Sequence, residues 1–153
     1  VDLMANAGLG GKTVLYMLDA IICAPSEGAS ITGDNSCWQQ PPFNGHYTAS
    51  VFVSQDPVAI DSVGADFLMN EPTVTSRNGS LRDNPTVENY LHEAGLVGHA
   101  PSGTTYTDGQ DSTVINLGTH EHWNNSVDKQ YSRNLGKNEG IELIYLRTLS
   151  AKP

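Results

Sequence analysis

The sequence predicts a mixed α/β fold, in which helices and long loops flank a central and mostly buried sheet. Three observations lead to this prediction. Residues 13–23 form a dense apolar run rich in Val, Leu, Ile and Tyr, which is typical of a buried strand, although its length also permits a helix. Residues 48–54 alternate in the manner of a strand and lead directly into a helix start. Stretches rich in Pro and Gly separate the elements.

Two helices are predicted from matching start signals. Asp56 suits the N-cap because its carboxylate can accept the free N–H groups of the first turn. Pro57 suits the first helical position, where its missing N–H costs nothing. The largely buried helix that they open is expected to end near Asn70. The same Asn-Pro signal at residues 84–85 predicts a second helix that stops at Gly95.

Loops and short strands account for the rest of the chain. Residues 24–47 hold several Pro and Gly among polar side chains, so we expect a long loop there that lines a site. Residues 113–117 predict a short strand, and residues 141–149 predict a last strand. At 153 residues, the chain 1–153 is expected to form a single domain, because single cores commonly occupy roughly 100 to 200 residues.

The charge balance limits the choice of partners. The chain has 8 basic and 17 acidic residues and a formal net charge of −9, which repels phosphate backbones and anionic lipid headgroups. We therefore expect no nucleic-acid partner. No run approaches the roughly 20 apolar residues that a membrane-spanning helix needs, so no membrane span is expected.

The first residues and the cysteines bear on the origin of the chain. The chain starts at Val1 and has neither a basic leader nor an apolar signal core at that end, which predicts processing or truncation, so that Val1 was once internal to a longer protein. Cys23 and Cys37 allow one disulfide, which the sequence leaves open. Two cysteines cannot build a cysteine-only zinc or iron–sulfur site.

The segment Gly-Leu-Gly-Gly-Lys-Thr at residues 8–13 invites comparison with a phosphate-binding loop. That motif needs a glycine five positions before Gly11, where this chain has Asn6. The segment also precedes the first predicted strand, whereas a phosphate-binding loop follows one. A plain glycine turn is the favoured interpretation.

Two histidines suggest a metal site. His120 and His122 are alternate residues, so on a strand they would project both imidazoles to one face, where they could bind one divalent metal ion. A complete shell needs further ligands, and the fold would have to bring them near; the candidates are Asp56, Asp61, Glu121 and His46. The competing interpretation is that both imidazoles bond to main-chain carbonyls around a turn and that Trp123 simply packs.

Carboxylates offer a second kind of site. Asp61 stands among apolar residues, where a buried carboxylate would need a partner or a raised pKa, and Asp19 poses the same question in the first strand. Glycoside hydrolysis needs two acids at a set separation, and the candidates are Glu121, Asp56, Asp61, Glu139 and Glu142. Three aromatic residues could stack on sugar rings or fill a core: Trp38, Trp123 and Tyr131. Nucleophilic Ser or Cys catalysis is disfavoured, since no Gly-x-Ser-x-Gly elbow or protease cysteine signature occurs.

Several separate motifs together resemble the C-terminal half of proteins in the domain-of-unknown-function family 362. They are spread along most of the length of the chain: residues 9–13 (LGGKT), 54–64 (SQDPVAIDSVG), 89–94 (NYLHEA), 117–125 (LGTHEHWNN) and 129–136 (KQYSRNLG). The resemblance implies a longer α/β protein, often bacterial, with an export signal of the twin-arginine kind in many members. Some members carry a ferredoxin-like iron–sulfur segment, for which this chain has no cysteine cluster.

Two hypotheses on function follow. The first is an enzyme, with hydrolytic chemistry favoured, whose acids Asp56, Asp61 and Glu121 act beside a divalent metal ion on His120 and His122. A glycoside hydrolase that uses an acid pair without metal is its variant. The second is a non-catalytic module that contacts a glycan or the rest of the parent protein. The expected partners are accordingly a carbohydrate or small molecule and the missing N-terminal half, and the resemblance implies export to the periplasm or beyond.

Overall fold

The computed structural model describes residues 1–24, 26, 28–74 and 81–147. The α-helices with both ends described are α1 (Asp2–Ala5), α2 (Gly33–Ser36), α3 (Pro57–Asn70) and α4 (Asn89–Gly95). The strands are β1 (Tyr16–Ala20), β2 (Cys37–Trp38), β3 (His46–Tyr47) and β4 (Ser50–Ser54). Single 3₁₀ turns occur at Gly10–Lys12, Leu81–Asp83 and Val97–His99. The described chain is therefore mixed α/β, as the sequence predicts.

The sheet is smaller and less buried than the sequence predicts. β1 pairs antiparallel with β4, Tyr16 opposite Ser54, and β2 pairs antiparallel with β3 in a separate two-stranded sheet. One face of the β1–β4 pair packs on α3. The other face is exposed, and Met17 and Val53, which stand opposite each other there, are 66% and 59% accessible. The sheet is thus a half-buried pair of strands beside a central helix.

Helix α3 is the centre of the fold. Asp56 caps it by accepting the N–H groups of Val58 and Ala59, and Pro57 occupies its first turn, as predicted. The helix ends at Asn70 and buries most of its circumference. Phe67 lies at the middle of an aromatic cluster, with ring centres 5.0 Å from Trp123, 5.7 Å from Phe43 and 5.7 Å from Phe52. The main core is built around it from Trp38, Phe43, Ala59, Val63, Phe67, Val74, Trp123, Tyr131 and Ile141.

The first half of the chain differs from prediction in detail. The strand predicted over 13–23 is confirmed but is limited to β1, and the strand predicted over 48–54 is confirmed as β4. The long loop predicted over 24–47 is corrected, because its described part contains α2, β2 and β3; Pro25 lies outside the described residues. The Asn35 side chain accepts the Thr32 N–H, a local bond that favours a short helix over an irregular loop.

The second predicted helix begins later than expected. Asn84 accepts the N–H of Thr86 with its side chain, and residues 85–88 form turns before α4 starts at Asn89. The side chain of Asn84 therefore closes a local turn and does not cap a helix. The predicted end at Gly95 is confirmed.

Two predicted strands near the end of the chain do not form. Residues 113–117 make one isolated bridge, between Thr113 and Thr107, and no regular strand pairing continues from it. Residues 141–147 contain no strand, and the rest of the 141–149 prediction lies outside the described residues. The Asn134 side chain bonds both the N–H and the C=O of Leu143, which replaces a partner strand by a side chain.

Three further features complete the fold. Residues 8–13 form turns and one 3₁₀ turn ahead of β1, in keeping with a glycine turn. Cys23 and Cys37 are both free thiols. Within the described part of the chain, no helix combines the length and the apolar character needed to cross a membrane.

Candidate metal centre

An extended segment, residues 119–123, lies along α3 in the same direction as the helix. The N–H of Thr119 donates to Asp56 Oδ2 at 2.8 Å, and the N–H of Trp123 donates to Asp66 Oδ2 at 3.1 Å. Gly118 makes the close approach possible, because its φ is +148° and an added Cβ would lie 2.0 Å from Asp56 Oδ1. This segment therefore has a fixed register against the helix.

The register places His120 and His122 on the same side of the segment. Their ring centres are 5.2 Å apart, whereas Glu121 between them accepts the N–H groups of Ser132 and Ile141. The alternation predicted from the sequence is present, although the segment is extended without belonging to a sheet.

A carboxylate from the turn before α4 completes a three-residue cluster. Glu88 offers one ligand atom that lies within 4.8 Å of one nitrogen from each of His120 and His122, and the nitrogens are equally close to each other. Glu88 Oε2 is 3.5 Å from His122 Nε2. Among the described residues this is the group of His, Cys, Asp and Glu side chains with geometry suited to one metal ion.

The Nδ1 atom of each of the two imidazoles is hydrogen-bonded to a side chain of α3. His122 Nδ1 is 2.8 Å from Asp66 Oδ1, and His120 Nδ1 is 2.9 Å from Ser62 Oγ. Such bonds hold a metal-binding imidazole in one orientation and leave Nε2 for the ion. His92 of α4 packs edge-on against His120, with ring centres 4.7 Å apart.

Two polar atoms of the cluster are buried without a partner. His120 Nε2 and Glu88 Oε1 are shielded from solvent, and neither has a hydrogen bond to any described residue. A buried polar atom without a partner carries a cost of roughly 1 to 3 kcal/mol. The described main chain and side chains supply no partner for either atom. One cation bound by both atoms would supply it.

The electrostatics of the two imidazoles differ. Burial, together with the neighbouring His92 and His122, lowers the pKa of His120 to about 4, so this ring is neutral at neutral pH. Burial also acts to lower the pKa of His122, but the bond to Asp66 and the charges of Asp66 and Glu88 outweigh it, so the pKa of His122 is raised.

A cleft of about 400 Å³ opens beside the cluster and gives access to it. The cluster residues Glu88 and His122 line the cleft, and Met69 and Trp123 supply its apolar wall. The remaining lining residues are polar: Asp66, Asn70, Asn125 and Ser126. A small molecule in this cleft would lie against the candidate ligands.

The three acids predicted to be catalytic, Asp56, Asp61 and Glu121, lie outside the Glu88, His120 and His122 cluster. Asp56 uses Oδ1 for the cap of α3 and Oδ2 for Thr119, so it shapes the site from outside the cluster. Glu121 faces away from the imidazoles, toward Ser132 and Ile141. Asp61 and Asp19 are exposed, contrary to the expectation of buried carboxylates; partial desolvation still raises the pKa of Asp61. His46 is exposed on β3.

Replacing Asp56 by alanine is expected to destabilise the protein by about 1 to 2 kcal/mol, because α3 loses its cap and Thr119 loses its acceptor. The free energy of unfolding in urea measures the loss. Asp56→Asn is the matched control: its amide oxygen can still accept, so a smaller loss is expected. Equal stability of wild type and Asp56→Ala would contradict the capping role.

Three residues of the site were not singled out as ligands or supports by the sequence. No catalytic or metal-binding motif marks Glu88, Ser62 or Asp66 in the sequence, although Ser62 lies within the family-362 motif at residues 54–64. A usable signal existed for the last two, since polar residues within a largely buried helix need partners. Glu88 lies in a turn, where the sequence carries no such signal.

The comparisons with known proteins add no relative. No family model matches the chain, no curated protein matches it, and no solved structure matches it. The candidate site therefore rests on its own geometry.

Proposed function

We propose that the chain binds one divalent transition-metal ion through Glu88, His120 and His122. The observation that carries the proposal is the pair of buried, unpartnered atoms, His120 Nε2 and Glu88 Oε1, in a cluster that also contains His122. Two imidazoles and one carboxylate match the ligand set of catalytic zinc sites, in which a fourth position stays open. The same set holds non-haem Fe(II) in oxygenases.

A hydrolytic enzyme is the function that this arrangement supports best. The cleft next to His122 and Glu88 gives a small molecule access to the open side of the centre. A metal ion held there would polarise a substrate oxygen and acidify its bound water. The residues of the chain hold the ion, and the wall formed by Met69 and Trp123 excludes water from one side of the cleft.

The alternatives without metal draw less support from the contacts. Trp38, Trp123 and Tyr131 all belong to the buried core, and Trp123, which also borders the cleft, is only 8% exposed, too little to offer a ring face for stacking. Asp56 accepts main-chain N–H groups with both carboxylate oxygens, and Glu121 accepts two with Oε1. Neither a sugar-stacking surface nor a free acid pair is favoured by these contacts.

We further propose that the chain is the C-terminal part of a family-362 protein, with export as that resemblance implies. The support is that its motifs contain the residues which build the centre, among them Ser62, His120 and His122. The rest of such a protein is then a natural partner of this chain.

Addition of the correct metal to chelator-treated protein is expected to raise its stability. Because an ion that binds only the folded state stabilises it by mass action, a free concentration of about 100 times the Kd adds about 2.7 kcal/mol. Thermal unfolding and calorimetric titration with zinc, iron(II), manganese, nickel and calcium measure the effect and the stoichiometry. One ion per chain is the expected result, with a nitrogen-preferring metal favoured over calcium. Absence of binding for every ion would overturn the proposal.

A further inference from the structure

Helix α3 carries two polar residues on its buried side, directly against the two imidazoles. Ser62 and Asp66 are one helical turn apart, so they lie on the same face, and they are 1% and 2% exposed. Ser62 contacts Nδ1 of His120, and Asp66 contacts Nδ1 of His122. The helix therefore meets the same nitrogen of both rings.

The proton between Ser62 and His120 can be placed from the other contact of the hydroxyl. Ser62 Oγ donates its single hydrogen to the carbonyl of Val58 at 2.8 Å. The hydroxyl can then only accept from His120, so His120 Nδ1 carries the hydrogen. A neutral imidazole holds one N–H, which leaves the buried His120 Nε2 as a bare lone pair.

The position of the proton between Asp66 and His122 can be assigned in the same way. Asp66 Oδ2 accepts the N–H of Trp123 and the hydroxyl of Tyr131, at 3.1 and 2.8 Å. Its Oδ1 faces His122 Nδ1, and an ionised carboxylate can only accept. His122 Nδ1 therefore carries a hydrogen, and in the neutral ring Nε2 faces Glu88 with its lone pair.

We infer that Ser62 and Asp66 are positioning residues that hold both imidazoles in the Nδ1–H tautomer, with both Nε2 lone pairs set to bind one metal ion beside Glu88. The inference rests on the proposed function for its purpose, but the tautomers exist in the metal-free protein and can be observed there. Asp66 carries a charge and Ser62 does not, so His122 is made the stronger electron donor of the two.

The test is a long-range ¹H–¹⁵N spectrum of the histidine rings in chelator-treated protein, at a pH well above the ordinary histidine range. Both His120 and His122 are expected as Nδ1–H tautomers. In Asp66→Asn, the amide oxygen keeps the donors Trp123 and Tyr131, and the amide NH₂ then faces His122 Nδ1. That nitrogen becomes an acceptor, so His122 is expected to change to the Nε2–H tautomer.

Tyr131→Phe is the matched control, because it removes a bond from Asp66 and leaves the bond to His122 in place. Its His122 tautomer is expected to stay as in wild type. Metal affinity is expected to fall roughly 10- to 100-fold in Asp66→Asn and to change little in Tyr131→Phe. Ser62→Ala, a small change, gives a second test in which His120 loses its preference for Nδ1–H.

The outcomes separate this inference from the proposed function. An Nε2–H tautomer at His120 or His122 in wild type overturns the inference, whatever metal binds. Nδ1–H tautomers in a protein that binds no metal support the inference and overturn the proposed function. If Asp66→Asn fails to fold, Ser62→Ala decides: an unchanged His120 tautomer and unchanged affinity there would overturn the inference.

Discussion

Replacement of His120 or His122 by alanine is expected to abolish metal binding under conditions that saturate the wild-type protein. Each change removes one of three protein ligands from the cluster with Glu88. Loss of a residue that only hydrogen-bonds to a ligand lowers metal affinity roughly 10- to 100-fold. Loss of a ligand itself is therefore expected to lower the affinity by more than about 100-fold. Calorimetric titration and elemental analysis after dialysis measure the change.

The control for these variants is His46→Ala. His46 is exposed on β3 and is not part of the cluster, so its removal is expected to leave metal affinity unchanged. The prediction is contradicted if His46→Ala weakens metal binding as much as His120→Ala does. Binding would then come from scattered surface histidines, and the centre at Glu88 would be excluded.

Replacement of Phe67 by alanine is expected to destabilise the protein by about 3 to 5 kcal/mol, a large part of the roughly 5 to 15 kcal/mol that stabilises a typical domain. Phe67 is 2% exposed and contacts the rings of Phe43, Phe52 and Trp123. Its removal opens a cavity between α3, β4 and the segment that carries the imidazoles. The free energy of unfolding in denaturant gives the loss.

Leu146→Ala serves as the comparison, because Leu146 is 90% exposed and its truncation is expected to cost less than about 0.5 kcal/mol. Similar losses for Phe67→Ala and Leu146→Ala would show that α3 is not the centre of the core. Phe67→Ala is also expected to weaken metal binding, since Trp123 packs on Phe67 and donates to Asp66.

The parts of the fold that the sequence predicted well are those set by local chemistry. The cap of α3 depends on Asp56 and Pro57, which act within one turn of the chain, and the end of that helix was also correct. The prediction of strands over 113–117 and 141–149 was wrong within the described residues. A strand needs a partner strand, which the local sequence does not specify. Side-chain bonds from Asn134 took the place of that partner near Leu143.

The candidate site shows the same division. The same-side placement of His120 and His122 follows from alternation along an extended chain, so it could be predicted. The third group, Glu88, comes from a distant turn, and no local pattern relates it to the histidines. Ser62 and Asp66 were recognisable only as polar residues on a buried helix, whose partners depend on the register of segment 119–123. Tertiary contacts thus decided what spacing could not.

The same register ties together parts of the chain that are remote in sequence. The contact between Ser62 and His120 spans 58 positions, and that between Asp66 and His122 spans 56. In the unfolded chain these groups are far apart and form no metal site. Affinity for an ion is therefore also a measure of how completely the long-range contacts have formed. An ion shared by Glu88 and the imidazoles would act as a crosslink between segment 119–123 and the turn before α4, and it would slow the separation of these two parts of the chain.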